Sequence, residues 1–224
     1  MEVFVPSLKS LSKSKLLAFR QCEERLWLEV HRPEIRDDSE SSQTKFDVGH
    51  LVGNLARARY DPNLKDILLI ARADGFASTF QQSLELLSLS APLFEAGFAA
   101  EGAVAFADVM LPVKRRCKKL WRMVAVKSST RMQGDYPDDV TVQASAVREA
   151  GVPLDSIVFA YIDKQWISPS GGDYASPFAE IDLAEEFSAR KEETRHRLLR
   201  YLGQETYSMV RLREVPAARL DLHL

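Results

Sequence analysis

Met123-Val124-Ala125-Val126-Lys127-Ser128-Ser129-Thr130 is an apolar, β-branched run that ends in a lysine. A lysine in that place is awkward to bury. Seventeen positions before Ala125, Asp108 closes a second apolar run, Ala103-Val104-Ala105-Phe106-Ala107-Asp108. If the two runs form a hairpin that turns near Arg116-Cys117, positions 108 and 125 face each other, because both lie equally far from the turn. Opposed side chains on one sheet face stand about 4.5–5.5 Å apart. Lys127 is two residues further on and shares the face of position 125. An aspartate, an acidic neighbour and a lysine so arranged would hold a hard cation beside a phosphate. The acidic neighbour is missing, because position 125 is alanine.

Outward from this hairpin the chain reads as alternating helices and strands. Leu16, Phe19, Cys22, Leu26, Trp27 and Val30 recur at helical spacing and predict a helix over Ser10–Val30. Asp37–Thr44 is a polar loop, Lys45–Arg59 a second helix, and Asp61-Pro62-Asn63 a turn. Ile67–Ile70 is a short strand and Thr79–Leu89 a helix stopped by Pro92. Three strands follow, Leu93–Ala99, Ala103–Val113 and Leu120–Ser128, the first two joined by a tight turn at Glu101-Gly102. Asp138–Ala150 is a helix ended by Gly151, and Ile157–Ile162 a strand. Ser168–Pro177 is loop, and Asp182–Leu202 a long charged helix ended by Gly203. This order predicts an α/β fold, a central mixed sheet flanked by helices. It forms one domain over 1–224, with N-terminal helices to 60, a core over 90–165 and a C-terminal helical segment over 178–224.

The bulk numbers exclude several classes. With 224 residues, 46% hydrophobic and 28% charged, the chain can bury one sizeable core. Its net charge of −2 gives no global basic signal, so a nucleic-acid ligand needs a local patch. That patch is Lys114, Arg115, Arg116, Lys118, Lys119 and Arg122, read as a phosphate-contacting arm. No apolar run approaches the roughly 20 residues of a membrane span. The N-terminus lacks a basic region followed by an apolar stretch, and two cysteines in unlike contexts make no disulfide framework, so a cytoplasmic location is expected. Cys22 and Cys117 cannot supply the four ligands of an iron–sulfur cluster, and none is expected.

In their order along the chain these segments resemble the PD-(D/E)XK nuclease superfamily, in its RecB-like branch. Leu11–Trp27 resembles the branch's first helix. Phe46–Arg57 resembles its second, whose histidine is a metal ligand in many members. Phe94–Phe98 resembles the first core strand, Ala107–Leu111 the strand bearing the catalytic aspartate, Val124–Thr130 the Glu-Val-Lys strand, and Asp139–Gln143 the following helix with its glutamine. The resemblance implies a restriction-endonuclease-like core that hydrolyses DNA phosphodiesters, as an exonuclease acting on single strands or duplex ends. It implies Mg²⁺ or Mn²⁺ as cofactor, with His50 and Asp108 as ligands and Glu95 as an added carboxylate. Lys127 then activates the attacking water, and Gln143 places that water or the substrate.

Ala125 departs from the pattern at the central ligand, so this chain is expected to cleave poorly. Val147 stands where active members often carry tyrosine. Ala125 is either an introduced substitution or the mark of a natural pseudonuclease that binds DNA. The retained Lys127 beside Asp108 favours the first. A third reading is a protein-interaction scaffold using the helix 182–202.

Overall fold

The computed structural model describes residues 11–12, 15, 18, 22–32, 34, 40–61, 68–70, 76–100, 103–116, 118–132, 134, 136–167 and 177–193. The fold is α/β, a mixed sheet flanked by helices, as the alternating pattern predicts. Its centre is an antiparallel meander of β3 (Leu93–Ala100), β4 (Ala103–Arg115) and β5 (Lys118–Lys127). The β4–β5 ladder runs from Val109↔Val124 to Arg115↔Lys118, so the chain reverses at 116 and 117 as the sequence indicates. α4 (Tyr136–Glu149) is the crossover that lets β6 (Leu154–Ile162) lie parallel to β5. β7 (Phe178–Asp182) closes that side antiparallel to β6. On the other side β2 (Leu68–Leu69) lies parallel to β3, with α3 (Phe76–Leu86) between them in the chain.

Helices cover both faces. On one, Met110, Met123, Ala125 and Phe159 pack under Val140, Ala144 and Val147 of α4. On the other, Phe94, Val109, Val124 and Val158 pack with Ala56 of α2 (Glu40–Tyr60). β6, sandwiched between them, is buried from Ile157 to Ala160, which is why its sequence is a continuous apolar run. Among the described residues no helix is long and apolar enough to cross a membrane.

The N-terminal reading needs correction. Leu11–Ser12 form β1, parallel to Ala103–Val104 of β4; Lys15 and Ala18 are helical as read, and after an extended Cys22 α1 is Glu23–His31. β4 is longer than the part β5 covers, and its spare edge recruits β1 in place of helix. The C-terminal reading shifts as well. Phe178–Asp182 is strand, Asp182 Oδ1 accepts the Ala184 N–H as a helix cap, and 184–193 is helical. The remainder of the 182–202 segment, the Glu101-Gly102 turn, the tip residue Cys117 and 168–176 of the Gly/Ser/Pro loop lie outside the described residues.

One glycine is fixed by close approach. A Cβ on Gly97 would stand 2.8 Å from a ring carbon of Phe80 in α3, and the Gly97 N–H donates to Ser83 Oγ at 2.8 Å. Gly97→Ala is therefore expected to destabilise the fold by roughly 1–3 kcal/mol in urea unfolding, the usual range for overpacking a filled site.

Candidate active site

Side-chain alternation along β3 and β4 breaks at a single rung. Leu93 and Ala96 both pack in the cluster beneath α4, and so do Ala107 and Met110. Residues three apart on a regular strand point to opposite faces. The pairings Leu93↔Met110 and Ala96↔Ala107 nevertheless keep one register. Both strands therefore slip together, at Glu95 and at Asp108 opposite it. Glu95 carries the slip with a left-handed backbone, φ 58°. For a residue with a side chain this conformation costs on the order of 1–3 kcal/mol, and such strain concentrates at functional sites.

β5 contributes the third strand of the site. Continued one rung past Val109↔Val124, the β4–β5 register sets Asp108 opposite Ala125, as the spacing from the turn predicts. The main-chain ladder ends there, and Asp108 Oδ2 accepts the Val126 N–H at 2.7 Å. The carboxylate thus replaces the next main-chain rung and is held at the point where the strands part.

A cleft of about 200 Å³ opens between this rung and α2. Glu95, Asp108 and Lys127 line its sheet side, and Gly49, Gly53 and Arg57 its helix side. A Cβ on Gly49 would meet nothing within 4 Å, and one on Gly53 only Arg57 Nη1 at 4.0 Å. Packing therefore does not require either glycine, and together they leave the cleft wall open. Gly53→Ala is expected to raise stability by roughly 0.5–1 kcal/mol in thermal or urea unfolding, the cost of an internal helical glycine.

Lys127 is held from the α4 side. Its Nζ lies 2.9 Å from Asp139 Oδ2 and 5.9 Å from the centre of the Tyr136 ring. Asp139 is buried and also accepts from Gln143 Nε2 at 3.3 Å. Gln143 is buried, and among the described residues its Oε1 has no hydrogen-bond partner. Ala125 is completely enclosed in the apolar cluster under α4.

The remaining candidates fall elsewhere. His50 is exposed on α2 and does not line the cleft, because about 100° of helix rotation carries it away from Gly49. Glu95 and Asp108 bring two carboxylates to the cleft, but among the described residues no group of three His, Cys, Asp or Glu side chains can hold a metal. Among the described residues the donor set does not complete a metal site.

The tip of the basic segment lies far along the hairpin from the cleft, whereas Arg122 is only three residues from Ala125. Eight residues separate Asp108 from Arg116, roughly 26 Å of strand at about 3.3 Å per residue. Half of its cations also have structural partners: Arg115 pairs with Asp155, Lys119 donates to the Leu87 and Ser88 carbonyls, and Arg122 pairs with Glu180. Lys114, Arg116 and Lys118 are exposed along the hairpin.

Glu180 also accepts the Tyr60 hydroxyl at 2.7 Å, which ties α2 to β7. Burial, then the Glu180 carboxylate, push the Tyr60 phenol above its ordinary value of 10. The unfolded chain therefore releases this proton first, and the stabilisation present below pH 10 is lost as pH rises further. Tyr60→Phe is expected to flatten this alkaline loss in unfolding measured from pH 9 upward.

Neither a protein-family model nor a curated protein sequence matches the chain. Solved structures do. LHK-Exo, in a complex with dAMP, is similar at 11% identity over 95% of each chain, with a TM-score of 0.48. SSO0001 is similar at 11% identity over 91% of this chain and 78% of its own, with a TM-score of 0.38.

Sequence reasoning missed Asp139 and Arg57. The signal for Asp139 was available: it stands one helical turn before Gln143, so the two share a face of α4. Arg57 stands one turn after Gly53 on the face of α2 that looks into the cleft.

Proposed function

We propose that the chain carries the framework of a metal-dependent DNA nuclease of the PD-(D/E)XK type, RecB-like branch, with its central acid replaced by Ala125. The observation that carries this reading is the joint slip of β3 and β4, which turns Glu95 and Asp108 into the cleft that Lys127 lines. Two carboxylates and a lysine along one cleft are the residue types that phosphodiester hydrolysis draws on. Asp108 is fixed by the Val126 N–H, Lys127 steadies a phosphate and its attacking water, and Gln143 orders the helix behind them. In a form with its acid restored, Mg²⁺ or Mn²⁺ would polarise the phosphate and lower the pKa of a bound water. The small cleft suits a single strand or a frayed end, in line with exonuclease action. Among the described residues there is no third donor, and the chain as it stands is expected to be inactive.

A second reading is favoured by one observation. Ala125 is closely packed and Lys127 has its own counter-charge in Asp139, so the site is self-consistent without the acid. That suits a natural pseudonuclease that binds DNA. The deciding experiment is Ala125→Glu assayed on labelled single- and double-stranded DNA with Mg²⁺ and Mn²⁺. Metal-dependent cleavage is the expected result, and intact DNA binding without cleavage removes the nuclease reading.

A further inference from the structure

Two adjacent acids open α4, and they have different partners. Asp138 pairs with Arg190 of the C-terminal helical stretch at 2.9 Å. Asp139 turns inward to Lys127, also at 2.9 Å, with its side chain 3% exposed and that of Lys127 15% exposed. A carboxylate taken so far out of water is tolerated only when paired and hydrogen-bonded. Asp139 has both, from Lys127 and from Gln143, and it sits in the first turn of α4, where the helix dipole favours negative charge. The lysine has few alternative positions. Its strand is fixed by pairing with β6 through Lys127↔Tyr161, and the Tyr136 ring flanks the ammonium.

We infer that Asp139 is the positioning residue for Lys127, holding its ammonium from the α4 side of the sheet in place of the acid that position 125 lacks. Gln143 holds Asp139 in turn, so its role is to orient the carboxylate rather than to meet substrate. The catalytic meaning of this arrangement rests on the nuclease reading; the ion pair itself does not.

The test therefore has two arms on the whole 224-residue chain. In the chain as it stands, nitrogen-15 NMR of the lysine ammonium groups should show one slowly exchanging signal that Lys127→Arg removes. Asp139→Asn should abolish that signal, while Asp138→Asn should keep it. Its survival in Asp139→Asn overturns the inference. If Asp139→Asn fails to fold, Asp139→Glu serves: the longer carboxylate must shift the signal, and an unchanged spectrum overturns the inference equally. In the Ala125→Glu background, Asp139→Asn should lower kcat ten- to a hundredfold with KM within about twofold, Asp139→Glu should recover part of it, and Asp138→Asn should leave kcat unchanged. An unchanged kcat in Asp139→Asn also overturns the positioning role. Loss of the ammonium signal in a background that never cleaves DNA leaves the pairing standing and removes the nuclease reading.

Discussion

Ala125→Glu is expected to raise Mg²⁺- or Mn²⁺-dependent DNA cleavage by at least about a hundredfold over the present chain. A single electrostatic contributor to a transition state is commonly worth a factor of about 10²–10³. The introduced carboxylate would enter one rung past Val109↔Val124, at the strand position opposite Asp108. It would also enter a fully enclosed site. Burying a second carboxylate beside one ammonium costs several kcal/mol unless a cation is supplied. The variant should therefore be less stable than the present chain in EDTA and recover with metal, by about 2.7 kcal/mol at a hundredfold excess over Kd. Ala125→Gln has similar bulk without the charge, and should show neither cleavage nor metal-dependent recovery. Combining Ala125→Glu with Lys127→Ala should return cleavage to background, as measured by release of labelled nucleotide.

Lys127→Met in the present chain should destabilise the fold by about 3–5 kcal/mol, seen as a lower urea midpoint at unchanged slope. The loss comes from Asp139, left buried without its counter-charge, and is the usual cost of breaking an interior pair from one side. Lys127→Met with Asp139→Leu should recover most of it, because replacing a buried pair by apolar groups of similar volume is often neutral or stabilising. If the single substitution costs under 1 kcal/mol, the pair behaves as an exposed one and the reading of the α4 face is wrong.

The hairpin was legible because its register depends on counting. Distance from the turn sets Asp108 opposite position 125, and the β4–β5 ladder keeps that count. The helices at 76–86 and 136–149 were legible from periodicity to within a few residues at their ends, whereas the N-terminal helix was read too long and the second, from Glu40, too short. What stayed hidden depended on contacts distant in sequence. β1 forms because β4 has a spare edge, which nothing in Leu11-Ser12 announces. The joint slip at Glu95 and Asp108 leaves the register count intact, so pattern alone passes over it. Glu95 resembles an ordinary strand residue until its φ is known. The tip of the basic segment shows why sequence distance is a poor guide here: 116 is near 125 along the chain but at the far end of the same strands. Asp139 was overlooked because an acid in a first helical turn usually faces water, and only the crossover geometry of α4 brings it over Lys127.

The most direct test of the cleft as a metal-dependent phosphodiester site is crystallographic. Crystals of the Ala125→Glu variant soaked in Mn²⁺ should give an anomalous peak in the cleft between the Asp108 carboxylate and the introduced one, within about 2.0–2.3 Å of an oxygen from each. No peak there at saturating Mn²⁺, with both carboxylates ordered, would contradict the account.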